Sequence, residues 1–281
     1  MDKKTPSRKS GERDVIIVGG GISGAALAFG LAGKGCKVTV LDAPTRTNMA
    51  SRTNVGLIWC QSKFLHLPEY ARWGFMSSRL FPELVRELEE ISGLRVPVNF
   101  TGGLIPVLGA EDFQKRADYI VKLREALGEY RGAVIERGEL EKKLPKIPFG
   151  PEVCGAAWCE EDGVIDPLAL LRAYRAALPR LGAEYVETLV LDVTPHAGGY
   201  RVTTRNGDYF CRRLVLAAGL AFARSGGESV PPPAWQTGAS PVSPCRICRS
   251  IRTRARCCWW NACPWSCPFR CWGPPRPSAA R

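Results

Sequence analysis

The sequence predicts an α/β fold, in which buried strands alternate with helices. Three observations support this prediction. The 281 residues are 45% hydrophobic and 23% charged, which is enough to bury a large core. A short apolar run over residues 14–18 leads into a cluster of glycines. A helical pattern follows, and then a second apolar run over residues 37–41. The composition excludes a disordered protein, a collagen and a small disulfide-stabilised fold.

Gly19, Gly21 and Gly24 form a G-x-G-x-x-G pattern between the first strand and the first helix. In such a unit the first glycine permits a tight turn, and the second lets a pyrophosphate approach the backbone. The third lets the helix pack closely on the strand. The start of the helix, at Ile22 and Ser23, offers unpaired N–H groups and the positive end of the helix dipole. The pattern predicts a Rossmann-like dinucleotide-binding unit.

Asp42 directly follows the second strand and is placed to accept hydrogen bonds from ribose hydroxyls. A carboxylate here disfavours NADP, which carries a 2′-phosphate, and leaves FAD and NAD open. An NAD dehydrogenase usually continues with more alternating strands and helices. This chain continues instead with a loop of small and polar residues over 50–59.

That loop reads Ala-Ser-Arg-Thr-Asn-Val-Gly-Leu-Ile-Trp, and it resembles a segment of the FAD-dependent amine and amino-acid oxidases of the D-amino-acid oxidase and glycine oxidase type. The flavoprotein subunits of opine oxidase and hydrogen cyanide synthase are similar in the same way. The likeness reappears at residues 161–167, 182–184 and 214–219, and it covers about residues 13–222. It implies a Rossmann-like FAD-binding domain with an interleaved, incomplete α+β substrate domain.

The resemblance also implies FAD as the cofactor and gives roles to individual residues. The 50–59 segment would contact the pyrophosphate and the flavin ring, and Arg52 there is either a phosphate or carboxylate contact or a surface arginine. Val190 would meet the adenine through its backbone, or it is an ordinary core valine. The residues expected to bind the cofactor are Gly19, Gly21, Ile22, Ser23, Gly24, Asp42, Ser51, Arg52, Asn54, Gly56, Leu57, Val190, Ala218 and Gly219.

The chemistry implied is oxidation of a C–N bond in an amine, amino acid or opine, with hydride transfer to the flavin and hydrolysis of the resulting imine. Because the cofactor carries the difficult step, few acid–base residues are expected. The only histidines, His66 and His196, are expected to be structural or exposed. No catalytic residue is assigned, and no metal site is predicted. By resemblance, further oxidase subunits are expected as partners.

Local patterns predict the remaining elements. Helices are expected over residues 68–92, over 110–130 and from Pro167, with Asp166 as the cap. Strands are expected over 100–107, 184–193 and 214–216, with a hairpin over 200–211 that turns at Asn206-Gly207. The predicted divisions are a polar tail (1–12), a βαβ unit with the flavin loop (13–66), a helical and substrate-domain segment (67–160), a second FAD-binding segment (161–222) and an atypical tail (223–281).

No secretory signal or membrane span is predicted, because glycines interrupt the apolar stretch after residue 15. Five cysteines are scattered through residues 1–223, as is typical of reduced thiols, so we expect a cytoplasmic protein. The formal charge of +12 is concentrated at the end of the chain. Residues 224–281 carry nine arginines and one acidic residue, and seven cysteines lie between Cys245 and Cys271.

Residues 224–281 contain no Leu, Lys, Asp, Tyr, Met or His, but ten Pro and five Trp. A zinc site is disfavoured, because a second C-x-x-C pair is absent. The codons that encode Cys257-Cys258-Trp259-Trp260-Asn261 would encode Leu-Leu-Val-Glu if they were read one base out of register. Leucine, which is absent from the tail as given, is thus present in the neighbouring reading frame. We therefore expect a frameshift between about residues 220 and 245, which makes the tail out of frame and disordered.

Three other functions stay open on the sequence. The first is a truncated product of a disrupted oxidase gene, which has no function. The second is an NAD-dependent Rossmann dehydrogenase. The third is a nucleic-acid binder that uses its arginine-rich tail. The reading-frame argument explains the arginines without a function, so nucleic acid is not expected as a partner.

Overall fold

The computed structural model describes residues 13–44, 50–61 and 67–219. The predicted polar tail 1–12, His66 and the atypical tail 223–281 lie outside these residues. The described strands are β1 (Arg13–Val18), β2 (Val38–Asp42), β3 (Leu57–Ile58), β4 (Val98–Asn99), β5 (Gly103–Leu108), β6 (Ala133–Glu136), β7 (Val153–Cys159), β8 (Gly163–Ile165), β9 (Glu184–Glu187), β10 (Val190–His196), β11 (Gly199–Thr204) and β12 (Gly207–Leu216). The described helices are α1 (Ile22–Gly33), α2 (Ala50–Thr53), α3 (Pro68–Ser92), α4 (Gly109–Leu127), α5 (Arg137–Lys143) and α6 (Pro167–Arg180).

The main sheet has six strands in the order β10-β11-β12-β1-β2-β9. The four strands β12, β1, β2 and β9 are parallel to one another, and β11 and β10 add an antiparallel edge next to β12. Strands from the beginning of the chain therefore lie between strands that follow residue 183. This arrangement confirms the predicted α/β fold with an interleaved second part.

Two smaller sheets come from the chain between β2 and β9. One has the order β3-β8-β4 and the other the order β5-β7-β6, and both are antiparallel.

The principal core lies between the main sheet and helices α1, α3 and α6. Ile17 and Val40 from the sheet are fully buried there, and the rings of Phe29 and Tyr174 meet edge to face with centroids 5.5 Å apart.

Several predicted elements are confirmed. Helix α3 occupies residues 68–92 as predicted, and Asp166 caps α6 by accepting hydrogen bonds from the Leu168 and Ala169 amides at 2.8 and 3.0 Å. Helix α4 ends before residue 130, because Gly128 adopts a φ of 75° that terminates the helix. The predicted hairpin is present as β11 and β12, but its turn is at Arg205 and Asn206, one residue earlier than predicted, because Gly207 already pairs with Thr204.

Three local predictions were wrong. The single strand predicted over 184–193 is two strands on opposite edges of the main sheet, because β9 pairs with β2 and the chain then crosses over to pair with β11 from Val190. The strands predicted over 209–211 and 214–216 are one strand, β12, which pairs with β11 and also with β1. The segment predicted as a loop over 50–59 begins with the short helix α2. Just after this helix, the Asn54 side chain donates a hydrogen bond to the Ala50 carbonyl.

None of the helices in the described ranges is long and apolar enough to cross a membrane. Within the same ranges, no three His, Cys, Asp or Glu side chains are grouped as ligands for a metal ion. The cysteines described there, Cys36, Cys60, Cys154, Cys159 and Cys211, are not joined to one another by disulfide bonds.

Candidate dinucleotide-binding site

The glycine turn connects the end of β1 to the start of α1, and two of its glycines are required by close contacts. Gly19 has a φ of 105°, and a Cβ atom there would lie 2.5 Å from the Ala217 carbonyl oxygen. At Gly24 a Cβ atom would lie only 2.0 Å from the Gly19 carbonyl oxygen. The turn therefore has the tight backbone and the close helix packing that the sequence predicts for these two positions.

The N-terminus of α1 faces Ser51. The Ser51 hydroxyl oxygen accepts a hydrogen bond from the Ile22 amide at 3.0 Å, and a Cβ atom at Gly21 would lie 3.1 Å from the same oxygen. Helix α1 has no acidic residue in its first turn and no capping side chain at Gly21. Its positive dipole end is therefore unneutralised by its own residues and is suited to an anionic group.

Asp42 lies beside this turn at the end of β2. Its Oδ1 atom accepts a hydrogen bond from the Gly20 amide at 2.9 Å. Its Oδ2 atom accepts hydrogen bonds from Arg175 at 2.8 Å and from the Tyr185 hydroxyl at 2.5 Å. The Asp42 side chain remains 21% exposed, so it is only partly enclosed by the protein.

The predicted flavin loop packs against the segment that precedes α6. Asn54 accepts a hydrogen bond from the Gly56 amide at 2.9 Å, which shapes the turn where Gly56 has a φ of 70°. The Gly56 carbonyl accepts a hydrogen bond from the Ile165 amide, and a Cβ atom at Gly56 would lie 1.9 Å from the Ile165 carbonyl oxygen. Leu57, half exposed, pairs with Val164. Two segments that carried the family resemblance are thus in direct contact.

The end of β12 lies against the glycine turn. The Ala217 amide bonds to the Val18 carbonyl, and the Cα atom of Ala218 lies 2.8 Å from the Cβ position of Gly19. Gly219 follows with a φ of 56°. Val190 opens β10, two residues after the buried Thr188 that bonds to the Asp42 carbonyl.

Two expected site residues are exposed to solvent. Arg52 lies on α2, and Ser23 lies on the first turn of α1. His196 is also exposed, and its ring lies 5.0 Å from the ring of Phe210. Its position agrees with the predicted exposed role.

Sequence reasoning missed Arg175 and Tyr185. They lie 133 and 143 residues from Asp42 along the chain, so no local spacing connects them to the glycine motif. The available signals were weak. An arginine follows the buried Tyr174 within the apolar pattern of α6, and Tyr185 lies on a strand that pairs in parallel with β2.

The sequence pattern of the family described as DAO, FAD dependent oxidoreductase, matches residues 14–247. The chain belongs to the DAO family of FAD-dependent oxidoreductases. FAD is the cofactor of the DAO family, which confirms the cofactor and the family that the resemblance implied. The match extends beyond residue 222, where we expected the likeness to end.

Individual members of the DAO family align with the same part of the chain. A subunit of opine oxidase from Agrobacterium tumefaciens (strain Ach5) is 35% identical over 212 residues, which cover 74% of this chain and 57% of that protein. Glycine oxidase from Geobacillus kaustophilus (strain HTA426) is 29% identical over 221 residues, which cover 76% of this chain and 56% of that protein. The chain thus spans somewhat more than half the length of these relatives.

A solved structure supports the same relationship. The crystal structure of glycine oxidase from Geobacillus kaustophilus superposes with a TM-score of 0.70 at 25% sequence identity. The superposition covers 82% of this chain and 60% of that one. The architecture described above is therefore the fold of DAO-family enzymes.

The residues present fit the ADP part of FAD. The glycines leave room for backbone approach, α1 presents an N-terminus without acidic residues, and Asp42 keeps acceptor capacity after its three hydrogen bonds. A carboxylate has about four lone-pair positions, so one is available to a ribose hydroxyl.

Proposed function

We propose that this chain holds the ADP part of FAD at the glycine turn and that the bound flavin oxidises a C–N bond of an amine, an amino acid or an opine. The observation that carries the proposal is the meeting of three features at one helix end. The glycine turn, the Ser51 hydroxyl and the Asp42 carboxylate all adjoin the N-terminus of α1. The names of two relatives, opine oxidase and glycine oxidase, support the substrate class.

Each part of the site would have a separate task in this function. Gly21 and the N–H groups of α1 would bind the pyrophosphate, with Ser51 fixing the loop beside them. Asp42 would bind the ribose, and Ala218 and Gly219 would line the dinucleotide. The Asn54–Leu57 segment would lie towards the flavin ring. When bound, FAD supplies the acceptor for the substrate hydride, and water hydrolyses the imine that results.

The partners and the location follow the same reasoning. We infer that the chain works with other oxidase subunits, because the relative at 35% identity is itself one subunit of an opine oxidase. We also infer a cytoplasmic location, since the described cysteines are not joined to one another by disulfide bonds, as expected in a reducing compartment.

Reconstitution of the full chain with FAD tests the proposal. We expect a visible flavin absorption band that stays with the protein through gel filtration. Anaerobic addition of glycine or of an opine should then bleach that band. A band that does not bleach with any amine, amino acid or opine contradicts the proposed oxidation, whereas retained flavin still supports cofactor binding.

The same preparation separates the alternatives. A truncated product without function would retain no flavin and oxidise no substrate. An NAD dehydrogenase would reduce NAD⁺ without a flavin band. Either result overturns the proposal.

A further inference from the structure

Arg175 joins two parts of the candidate ribose site through a single nitrogen. Its Nη2 atom donates to Asp42 Oδ2 at 2.8 Å and to the Gly20 carbonyl oxygen at 2.7 Å. The side chains of Arg175 and Asp42 are only 27% and 21% exposed. The guanidinium therefore ties the acid at the end of β2 to the backbone of the glycine turn.

Tyr185 completes this arrangement from β9. Its hydroxyl donates to the same Asp42 oxygen at 2.5 Å, and its ring lies beneath the Arg175 guanidinium, 4.8 Å from ring centroid to Cζ. Burial raises the pKa of Tyr185, and the hydrogen bond to Asp42 raises it further. The phenol thus stays protonated and acts as a donor.

The three residues are packed directly onto the turn. A Cβ atom at Gly20 would lie 2.7 Å from the Tyr185 ring and 2.9 Å from the Asp42 carboxyl carbon. Among the described residues, Nε of Arg175 is buried without a hydrogen-bond partner. An apolar side chain would fill this space without leaving a donor unsatisfied, so packing alone does not account for an arginine here.

We propose that Arg175 and Tyr185 are positioning residues that fix the Asp42 carboxylate so that it accepts a hydrogen bond from one ribose hydroxyl of the bound dinucleotide. Three of its acceptor positions are filled by Gly20, Arg175 and Tyr185, and one remains on Oδ1. The inference rests on the proposed binding of FAD at the glycine turn, and it adds the prediction that only one of the two ribose hydroxyls is recognised by Asp42.

Nucleotide titrations of the full chain test this inference. The probes are ADP, 2′-deoxy-ADP and 3′-deoxy-ADP, measured by isothermal calorimetry. We expect one deoxynucleotide to bind about tenfold more weakly than ADP, as for loss of a hydrogen bond to a charged group, and the other to bind within about twofold. No binding of ADP contradicts the proposed function, whereas equal binding of all three nucleotides contradicts only the present inference.

Variants separate positioning from direct contact. Asp42→Asn and Arg175→Met should each weaken ADP binding and abolish the difference between the nucleotides, and the double variant should lose no more than the larger single loss. Arg172→Met, an exposed arginine on the same helix, is the matched control and should behave as the unmodified chain. Losses that add in the double variant, or discrimination that persists in Arg175→Met, would overturn the inference.

Tyr185→Phe provides a milder change in case Arg175→Met does not fold. It removes one donor and keeps the ring beneath the guanidinium. We expect the unfolding temperature to change little and the ratio between the two deoxynucleotides to fall. An unchanged ratio in this variant contradicts a role for Tyr185.

Discussion

Asp42 and Asp162 lie in different parts of the molecule, and each gathers hydrogen bonds from segments that are distant in sequence. Asp42 ends β2 of the main sheet and is partly open to solvent. Asp162 lies between the two small sheets and is 1% exposed. Its oxygens accept hydrogen bonds from the Cys60 amide at 2.9 Å and from Gln61 at 2.7 Å. The Asp42 side chain is partly exposed, whereas Asp162 is enclosed by the protein.

The glycines beside the two aspartates show the same difference. Gly103 makes room for Asp162 itself, because a Cβ atom there would lie 2.6 Å from Asp162 Oδ2. At Gly21 the nearest side-chain atom to a Cβ would be the Ser51 oxygen at 3.1 Å, at the start of α1, where Gly21 itself offers no capping side chain. The polar clusters around Asp162 and Asp42 therefore have different roles. The Asp162 cluster joins protein segments, and we assign the Asp42 cluster to a ligand.

The largest effect on stability is expected at the sealed cluster. Asp162→Ala leaves the Cys60 amide and the Gln61 side chain buried without their acceptor, and we expect a loss of about 3 kcal/mol in the free energy of unfolding. Urea unfolding measures this loss. Glu160→Ala, at an exposed carboxylate two residues away, should change stability by less than about 0.5 kcal/mol. Equal effects of the two substitutions would contradict the structural role.

A second effect is expected at the glycine turn. Gly24→Ala places a methyl group against the Gly19 carbonyl, and should cost about 2 kcal/mol of stability and weaken FAD binding. Gly30→Ala on the same helix meets no atom within 4 Å and should stabilise the chain by about 0.7 kcal/mol. Thermal unfolding of the two variants gives the comparison. Stabilisation in both would show that α1 does not pack against the turn as described.

A smaller effect is expected at Ser51. Ser51→Ala removes the acceptor of the Ile22 amide, and should cost about 1 kcal/mol of stability, as for loss of a helix cap. It should also weaken ADP binding, because the loop beside the helix start loses its anchor. Calorimetric titration measures the affinity. Ser77→Ala, at an exposed serine on α3, is the control, and an equal loss of affinity there would contradict the assignment.

The smallest effect is a pH dependence from Asp162. Burial raises the pKa of this carboxyl above its usual value of 3.8, although the hydrogen bonds from Cys60 and Gln61 oppose the shift. A raised pKa means that the folded state favours the protonated Asp162 carboxyl. Its protonation therefore stabilises the folded protein fully below pH 3.8, and this stabilisation is lost as the pH rises through the folded-state pKa.

Asp162→Asn isolates this contribution, because asparagine does not titrate. The stability of the unmodified chain relative to the variant should fall as the pH rises above 3.8 and then level off. Urea unfolding over a pH series measures the difference. A difference that grows with rising pH would contradict the assignment of the shift to burial.

Local sequence patterns correctly predicted the elements whose structure depends mainly on residues that are close in sequence. Strand β1, the glycine turn, α1 and β2 follow one another within 30 residues of sequence, and the glycines at 19 and 24 are required by contacts within that unit or with its neighbour β12. Ser51 and Asp42 were also placed at the turn, from the family resemblance and from the motif respectively.

Long-range contacts decided what local patterns could not. Arg175 and Tyr185 reach Asp42 only because α6 packs on α1 and β9 pairs with β2. The error over residues 184–193 has the same origin, since β9 pairs with β2 at one edge of the main sheet and β10 pairs with β11 at the other. The apolar pattern was correct for both strands, but it carried no information about which edge each one joins.

The central claim is that the ADP part of FAD binds at the glycine turn. Hydrogen exchange of the full chain, with and without saturating FAD, tests it most directly. We predict slower exchange of the amides over residues 19–24 and of the segment that ends at Asp42, with exchange in the buried Asp162 cluster unchanged. FAD binding that protects other segments and leaves residues 19–24 unaffected would contradict the claim.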